Sequence, residues 1–226
     1  MTNIQYFMIR RVHSLLGVIP LGIFLFGHLT TNSMSIFGEE AFTHKVELIH
    51  SLGPLLPFIE AGVIFIPLAL HIIIGIVIAL SAKNNTGDLG YARNWAFAAQ
   101  RWTGWLALAF IVYHTATLRF LDTADIATYG VDAFYRHLSL IFQNPLIIAG
   151  YLVGGFAVIY HFANGLCTFC MTWGITVSEK SQQVMAYIAI GIGLMLASML
   201  LASVAGFYIN YDPIFATETM GLQPIK

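Results

Sequence analysis

Four histidines stand inside long apolar runs of this 226-residue chain: His28, His71, His114 and His161. An ionisable ring is costly to place in an apolar membrane interior, so such a residue points to function. A lone histidine there is about as well explained by a neutral ring hydrogen-bonded to a neighbouring helix. One in each of four successive runs is not. Imidazole nitrogen is a ligand for iron, and two imidazoles on opposite faces of a haem fill both axial positions. An iron held that way has no open place for oxygen, so the chemistry this set could do is electron transfer.

The elements that must position these rings follow from composition. The chain is 58% hydrophobic and 9% charged, whereas a soluble domain is about a quarter charged. Mean hydropathy is +0.78. Such a chain cannot cover itself with a polar surface, so its solvent is lipid. A net charge of -1 and the lack of a basic patch exclude nucleic acid as partner. A spanning helix needs about 20 apolar residues, and five runs qualify: 11–32, 57–82, 95–121, 145–173 and 183–208. Backbone polar groups in a bilayer need partners within the segment, and these runs are too long for barrel strands. The expected fold is an all-α integral membrane protein, five transmembrane helices in a bundle, forming one domain over residues 1–226. The first run follows Arg10 and Arg11 and has no small-residue cleavage site behind it, so it reads as a span rather than a removable signal.

Connections differ in character. Residues 82–94 and 177–183 are short polar turns. Ser33 to Leu56 is longer and acidic. Asp122 to Asn144 contains "YGVDAFYRHLSLIF", whose near-helical apolar spacing suits a helix lying flat in the membrane interface. With the N-terminus inside, Arg10, Arg11, Lys83, Arg93, Arg101 and Lys180 flank the inner side. Lys45, Arg119, Arg136 and Lys226 then flank the outer side. That bias expects N-terminus inside and C-terminus outside.

Depth pairs the histidines. At about 1.5 Å per residue, His28 and His114 lie in the outer half of outward-running helices. His71 and His161 lie just past the middle of inward-running ones. The two levels differ by roughly 13 Å. Two pairs at two levels is what two bis-histidine haems require: an outer pair, His28 and His114, and an inner pair, His71 and His161. Glycine follows each inner ligand by four residues, in "HIIIG" (71–75) and "HFANG" (161–165). Residues four apart share a helical face, so Gly75 and Gly165, with Gly154, are expected to clear that face for a flat macrocycle. Close helix packing is the plainer account of a single glycine, but not of the recurring spacing.

His13, Ser14, Arg11 and Arg101 sit at similar depth near the inner surface and could hydrogen-bond the propionates of an inner haem. Ordinary positive-inside flanking explains the arginines equally well. "CTFC" (Cys167, Cys170) has no following histidine, so it is no covalent haem attachment motif and no disulfide framework. His44, His50 and His137 lie in outer connections and read as solvated.

The stretches "RRVHSLLGVIPLGIFLFGHL", "AKNNTGDLGYARNW", "QRWTGWLALAFIVYH" and "HFANGLCTFCMTWGITVS" together resemble the cytochrome b558 subunits of succinate:menaquinone oxidoreductases, and the related fumarate reductases. The resemblance spans the first four runs. It implies two haem b groups with His28, His71, His114 and His161 as axial ligands. It also implies a flavoprotein with FAD and an iron–sulfur protein docked on the cytoplasmic face. Electrons would pass from succinate through the iron–sulfur centres and both haems to menaquinone, in a multi-pass subunit of the bacterial cytoplasmic membrane. The dicarboxylate and flavin site would lie on another subunit. A quinone pocket near the outer haem would have Asn32, one turn beyond His28, as a hydrogen-bond donor. Glu47 and Glu60 would handle protons, although Glu60 also suits the opening of its helix as a dipole partner.

Other readings stay open at this point. One is the cytochrome b of a formate dehydrogenase or hydrogenase. Another is a haem-free histidine relay for protons, which would call for more intramembrane acids than Glu60. A third is a plain anchor, which leaves the depth pairing unexplained.

Overall fold

The computed structural model describes residues 3–82, 87, 90–121 and 123–213. Lys83 and Lys226, used to orient the chain, lie outside the described residues. Among the described residues every regular element is helical. The first expected span is two helices in line, α1 (Asn3–Val18) and α2 (Pro20–Ser33). Proline lacks an N–H and its φ is preset for a helix's first position, so α2 begins at Pro20. The bonds Ile19 N to Leu15 O (3.0 Å) and Ile23 N to Ile19 O (3.1 Å) carry the ladder across the junction.

The long connection that follows is itself helical. A 3-10 turn (Met34–Phe37) reaches Gly38, whose φ of 100° favours glycine, and α3 (Glu39–His50) follows. Glu39 and Glu40 in its first turn complement the helix dipole. The second span comprises α4 (Leu56–Ile59), a π-helical turn (Glu60–Phe65) and α5 (Ile66–Ser81). Pro67 stands at the start of α5 and cannot donate to the preceding turn. A wider turn at that place re-seats the ladder. The third is α6 (Ala92–Thr115), continued by a π-helical turn (Ala116–Leu121). Then come α7 (Thr123–Ile141), kinked at Gly130 (φ 86°), α8 (Pro145–Thr172) and α9 (Glu179–Ile209). Asn144 Oδ1 accepts from Leu146 N at 2.9 Å, and Ser178 Oγ accepts from Ser181 N at 3.1 Å. Both are side-chain caps of the kind that satisfies a helix's first N–H groups.

Four stretches among the described residues are long and apolar enough to cross a membrane: Asn3–Phe37, Gly53–Ser81, Pro145–Thr172 and Glu179–Ile209. The third expected run, 95–121, is also helical, but Gln100, Arg101, Thr103 and Arg119 make it less apolar. Large apolar side chains point outward along these helices. Ile23, Ile73 and Leu194 are 67%, 60% and 68% exposed. An outward apolar surface this extensive needs lipid around it, so the chain is a multi-pass membrane protein.

The chain divides into two compact units. The first comprises Met1–Phe26, Pro57–Leu108 and Phe156–Leu196; the second comprises Gly27–Leu56, Ala109–Gly155 and Ala197–Lys226. The core of the second unit is aromatic. The rings of Phe42 and Phe207 meet edge-on at 5.2 Å, and Phe142 stacks on Phe207 at 5.6 Å. Tyr135 and Leu138 of α7, and Phe142 just beyond it, are all buried. The amphipathic stripe read as interfacial is therefore turned onto protein. Arg136 Nε pairs with Glu39 Oε1 at 3.0 Å on the rim. Ser35 Oγ donates to Ser203 O (3.0 Å) and Asn210 Nδ2 to Ser35 O (2.9 Å). Gly206 lets this turn approach α9, because a Cβ there would run into the backbone of Ser35 and Ile36.

Candidate functional site

The rings that share an expected depth lie beside one another. In the second unit, His28 (α2) and His114 (α6) have ring centres 5.6 Å apart and planes at 87°. In the first unit, His71 (α5) and His161 (α8) have ring centres 6.1 Å apart, again at 87°. A metal–imidazole bond is about 2 Å, so a metal held between two imidazoles places their ring centres about 6 Å apart. The separations suit a shared ion.

Tautomer matters as much as distance. A ligating histidine nearly always donates its other ring N–H to a carbonyl or carboxylate, which fixes its orientation and raises its basicity. His71 Nδ1 lies 3.0 Å from the main-chain oxygen of His13. His161 Nδ1 lies 3.1 Å from the main-chain oxygen of Gln100. With each Nδ1–H donated there, each Nε2 keeps its lone pair for iron. His114 is braced differently. Phe110 stacks on it (5.5 Å, 28°), and the Tyr151 hydroxyl is 3.4 Å from its Nδ1, long for a hydrogen bond.

His13 belongs to the same cluster. Ligating atoms of His13, His71 and His161 all lie within 4.8 Å of one another. However, the rings of His13 and His71 are stacked face to face at 3.9 Å and 15°, unlike the edge-to-face couple of His71 and His161. His13 Nδ1 is also committed, at 3.0 Å, to the main-chain oxygen of His71. His13 therefore sits on an expected ligand instead of beside Ser14 and Arg11.

Those two residues gather around Trp173. The Arg11 guanidinium lies 4.5 Å from the Trp173 ring centre, and Trp173 Nε1 donates to Ser14 Oγ at 3.3 Å. Arg11 Nε is buried with no acceptor among the described residues. An unmet buried donor costs on the order of 1–3 kcal/mol, and a carboxylate such as a propionate would meet it. Arg101 donates through Nη2 to the Ala79 carbonyl at 2.8 Å near the end of α5.

The expected quinone contacts fall on three different elements. Asn32 Nδ2 donates to His28 O at 2.8 Å and lies 3.4 Å from His28 Nε2. Glu47 is exposed on α3, in the same unit as Asn32. Glu60 opens the π-helical turn and belongs to the first unit.

The glycines after the inner histidines have side-chain neighbours from other helices. A Cβ on Gly75 would stand 2.9 Å from His13 Cε1, and one on Gly165 would stand 3.5 Å from Gln100 Nε2. The first contact is too close for a Cβ, and the second is an ordinary van der Waals one. Gly154 belongs to the second unit, where a Cβ would strike Phe110. The glycines that meet the rings of His71 and His161 are two others, Gly17 and Gly104. A Cβ on Gly17 would be 2.6 Å from His71 Cε1, and on Gly104 it would be 3.1 Å from His161 Cε1. Glycine inside a helix costs about 0.5–1 kcal/mol relative to alanine; here the close approach of a ring offsets that. Cys167 and Cys170 are free thiols.

Residues 79–201 match the family model described as the succinate dehydrogenase/fumarate reductase transmembrane subunit. The chain is also 39% identical over 207 residues to the "Succinate dehydrogenase cytochrome b558 subunit" of Bacillus subtilis (strain 168). That alignment covers 92% of this chain and all of the relative.

Proposed function

Because the chain belongs to the succinate dehydrogenase/fumarate reductase transmembrane subunit family, we propose that it is the dihaem cytochrome b anchor of such an enzyme. It is a membrane subunit, and dicarboxylate chemistry takes place on another chain. Its task is to tether a flavoprotein subunit and an iron–sulfur subunit to the membrane and to relay electrons between them and menaquinone. The helix from 95 to 121 is a fifth span in this reading, with the N-terminus inside and the whole seated in the bacterial cytoplasmic membrane. Fumarate reduction would use the same parts in reverse.

The observation that carries this reading is the grouping of four imidazoles into two couples, each about 6 Å between ring centres and each nearly perpendicular. His71 and His161 would hold one haem b, and His28 and His114 the other. Haem iron, once bound between two imidazoles, exchanges single electrons and offers no position to oxygen. The main-chain oxygens of His13 and Gln100 keep the Nδ1–H tautomer on His71 and His161 and hold their rings in place. The unmet Arg11 Nε would bind a propionate near Ser14 and Trp173. Asn32, anchored on the His28 carbonyl, has a second amide hydrogen to offer a quinone oxygen.

The test is haem quantification on the purified complex, with dithionite-reduced minus oxidised spectra and identification of co-eluting subunits. Two low-spin b-type haems per chain, together with flavin and iron–sulfur partners, are expected. One haem, or none, defeats the proposal.

A further inference from the structure

Positions 13 and 100 do the same thing to two different histidines, and the parallel extends over several residues. His13 accepts His71 Nδ1–H on its main-chain oxygen at 3.0 Å, and its own Nδ1 donates to His71 O at 3.0 Å. Gln100 accepts His161 Nδ1–H on its main-chain oxygen at 3.1 Å, and its Nε2 donates to His161 O at 2.9 Å. Each of the two is followed, four residues on, by a glycine packed against the Cε1 of the histidine it holds: Gly17 against His71, and Gly104 against His161. Each held histidine is followed, four residues on, by a glycine beside the holding side chain: a Cβ on Gly75 would crowd the His13 ring at 2.9 Å, and one on Gly165 would meet the Gln100 amide at an ordinary 3.5 Å.

The two sets differ in what meets the holder's acceptor. A carboxamide accepts on its oxygen, and an imidazole donating through Nδ1 accepts on Nε2. Asn164, three residues after His161, donates to Gln100 Oε1 at 2.8 Å. Three residues after His71 the chain has Ile74, and the His13 ring is braced instead by stacking on His71. Thus the residue at the +3 place is polar where the holder is glutamine and apolar where it is histidine.

We infer that α1–α5 and α6–α8 carry two copies of one histidine clamp, in which His13 and Gln100 are equivalent positioning residues and His13 is not an iron ligand. Gly17 and Gly104 complete the clamps. This rests on the reading of His71 and His161 as ligands of one haem. The clamp acts on the ring angle and basicity of those ligands, so its loss alters that haem's spectrum and potential and leaves the other haem alone.

The experiment uses the intact complex, purified with Gln100→Leu, Gln100→His, His13→Leu or His13→Gln. Each haem is followed by electron paramagnetic resonance and by redox titration. The expected result is a displaced low-spin signal and a shifted midpoint in both leucine variants, confined to the haem that His71→Ala and His161→Ala remove. The exchanged pair, Gln100→His and His13→Gln, should return most of the native signature. Native signals for both haems in the leucine variants would overturn the clamp, as would His13→Gln behaving like His13→Leu. Haem-bound iron losing an axial ligand in His13→Leu would also overturn it, by making His13 a ligand. An unsubstituted complex without haem would instead overturn the dihaem proposal on which the clamp rests.

Discussion

Gln100 and His161 hold one another by main chain and side chain at once. The ring Nδ1 of His161 meets Gln100 O at 3.1 Å while the Gln100 amide meets His161 O at 2.9 Å. Breaking one bond leaves the other as a hinge, so the ring can tilt without leaving its neighbourhood. This graded arrangement is why spectra, rather than assembly alone, report on position 100.

Ligand substitutions should sort by couple. His71→Ala and His161→Ala are expected to remove the same haem, and His28→Ala and His114→Ala the other. Spectral quantification of each purified variant checks this. Loss of one haem by a mixed couple, such as His28 with His161, would break the assignment.

Ring angle should be visible in the oxidised complex. Both couples stand at 87°, and perpendicular axial imidazoles give low-spin ferric signals of large g anisotropy. Low-temperature electron paramagnetic resonance is the measurement. Rhombic signals of the near-parallel type for both haems would contradict the geometry.

Gly17→Ala should cost far more than Gly27→Ala. The new methyl would stand 2.6 Å from a pinned His71 ring in the first case and meet nothing within 4 Å in the second. Overpacking of a well-filled site costs about 1–3 kcal/mol, whereas removing an open helical glycine is neutral or gains about 0.5–1 kcal/mol. Thermal unfolding of the detergent-solubilised complex, with haem content, distinguishes them. Equal effects would mean that the Gly17 approach is slack.

In the second unit, packing should outweigh charge. Phe207 is 1% exposed among Phe42, Tyr135 and Phe142, so Phe207→Ala should cost about 3–5 kcal/mol. The Glu39–Arg136 pair is about a third exposed at each partner, and Arg136→Leu should cost at most about 1 kcal/mol. Unfolding midpoints of the two variants make the comparison; a larger loss from Arg136→Leu would reverse the ranking.

The helices and the four half-buried rings were legible because each is written in a run of neighbouring residues. Hydropathy marks the spans, and distance along a run gives the level of His28 or His161. The partners of Gly17 and Gly104 were not legible, since they depend on how one helix is rotated against the next. The spacing His161 to Gly165 is legible along the run, but the Gln100 amide beside Gly165 comes from another helix and is not. The α3 helix was hidden in an acidic stretch of weak apolar pattern, and the apolar stripe of α7 pointed to lipid when Phe42 and Phe207 were there to receive it. The stacking of His13 on His71 was not legible, because a helical wheel gives an angle but no neighbour.

The two main-chain oxygens that receive the imidazole hydrogens are present whatever amino acid is encoded at positions 13 and 100. No point substitution can delete them, so this part of the molecule is specified by spacing and not by identity. A one-residue insertion between His13 and Gly17 would swing one away from the other by roughly 100°. It would spoil the seat of His71 more thoroughly than any replacement, and a tolerated insertion there would reveal that the helix has somewhere else to take up the turn.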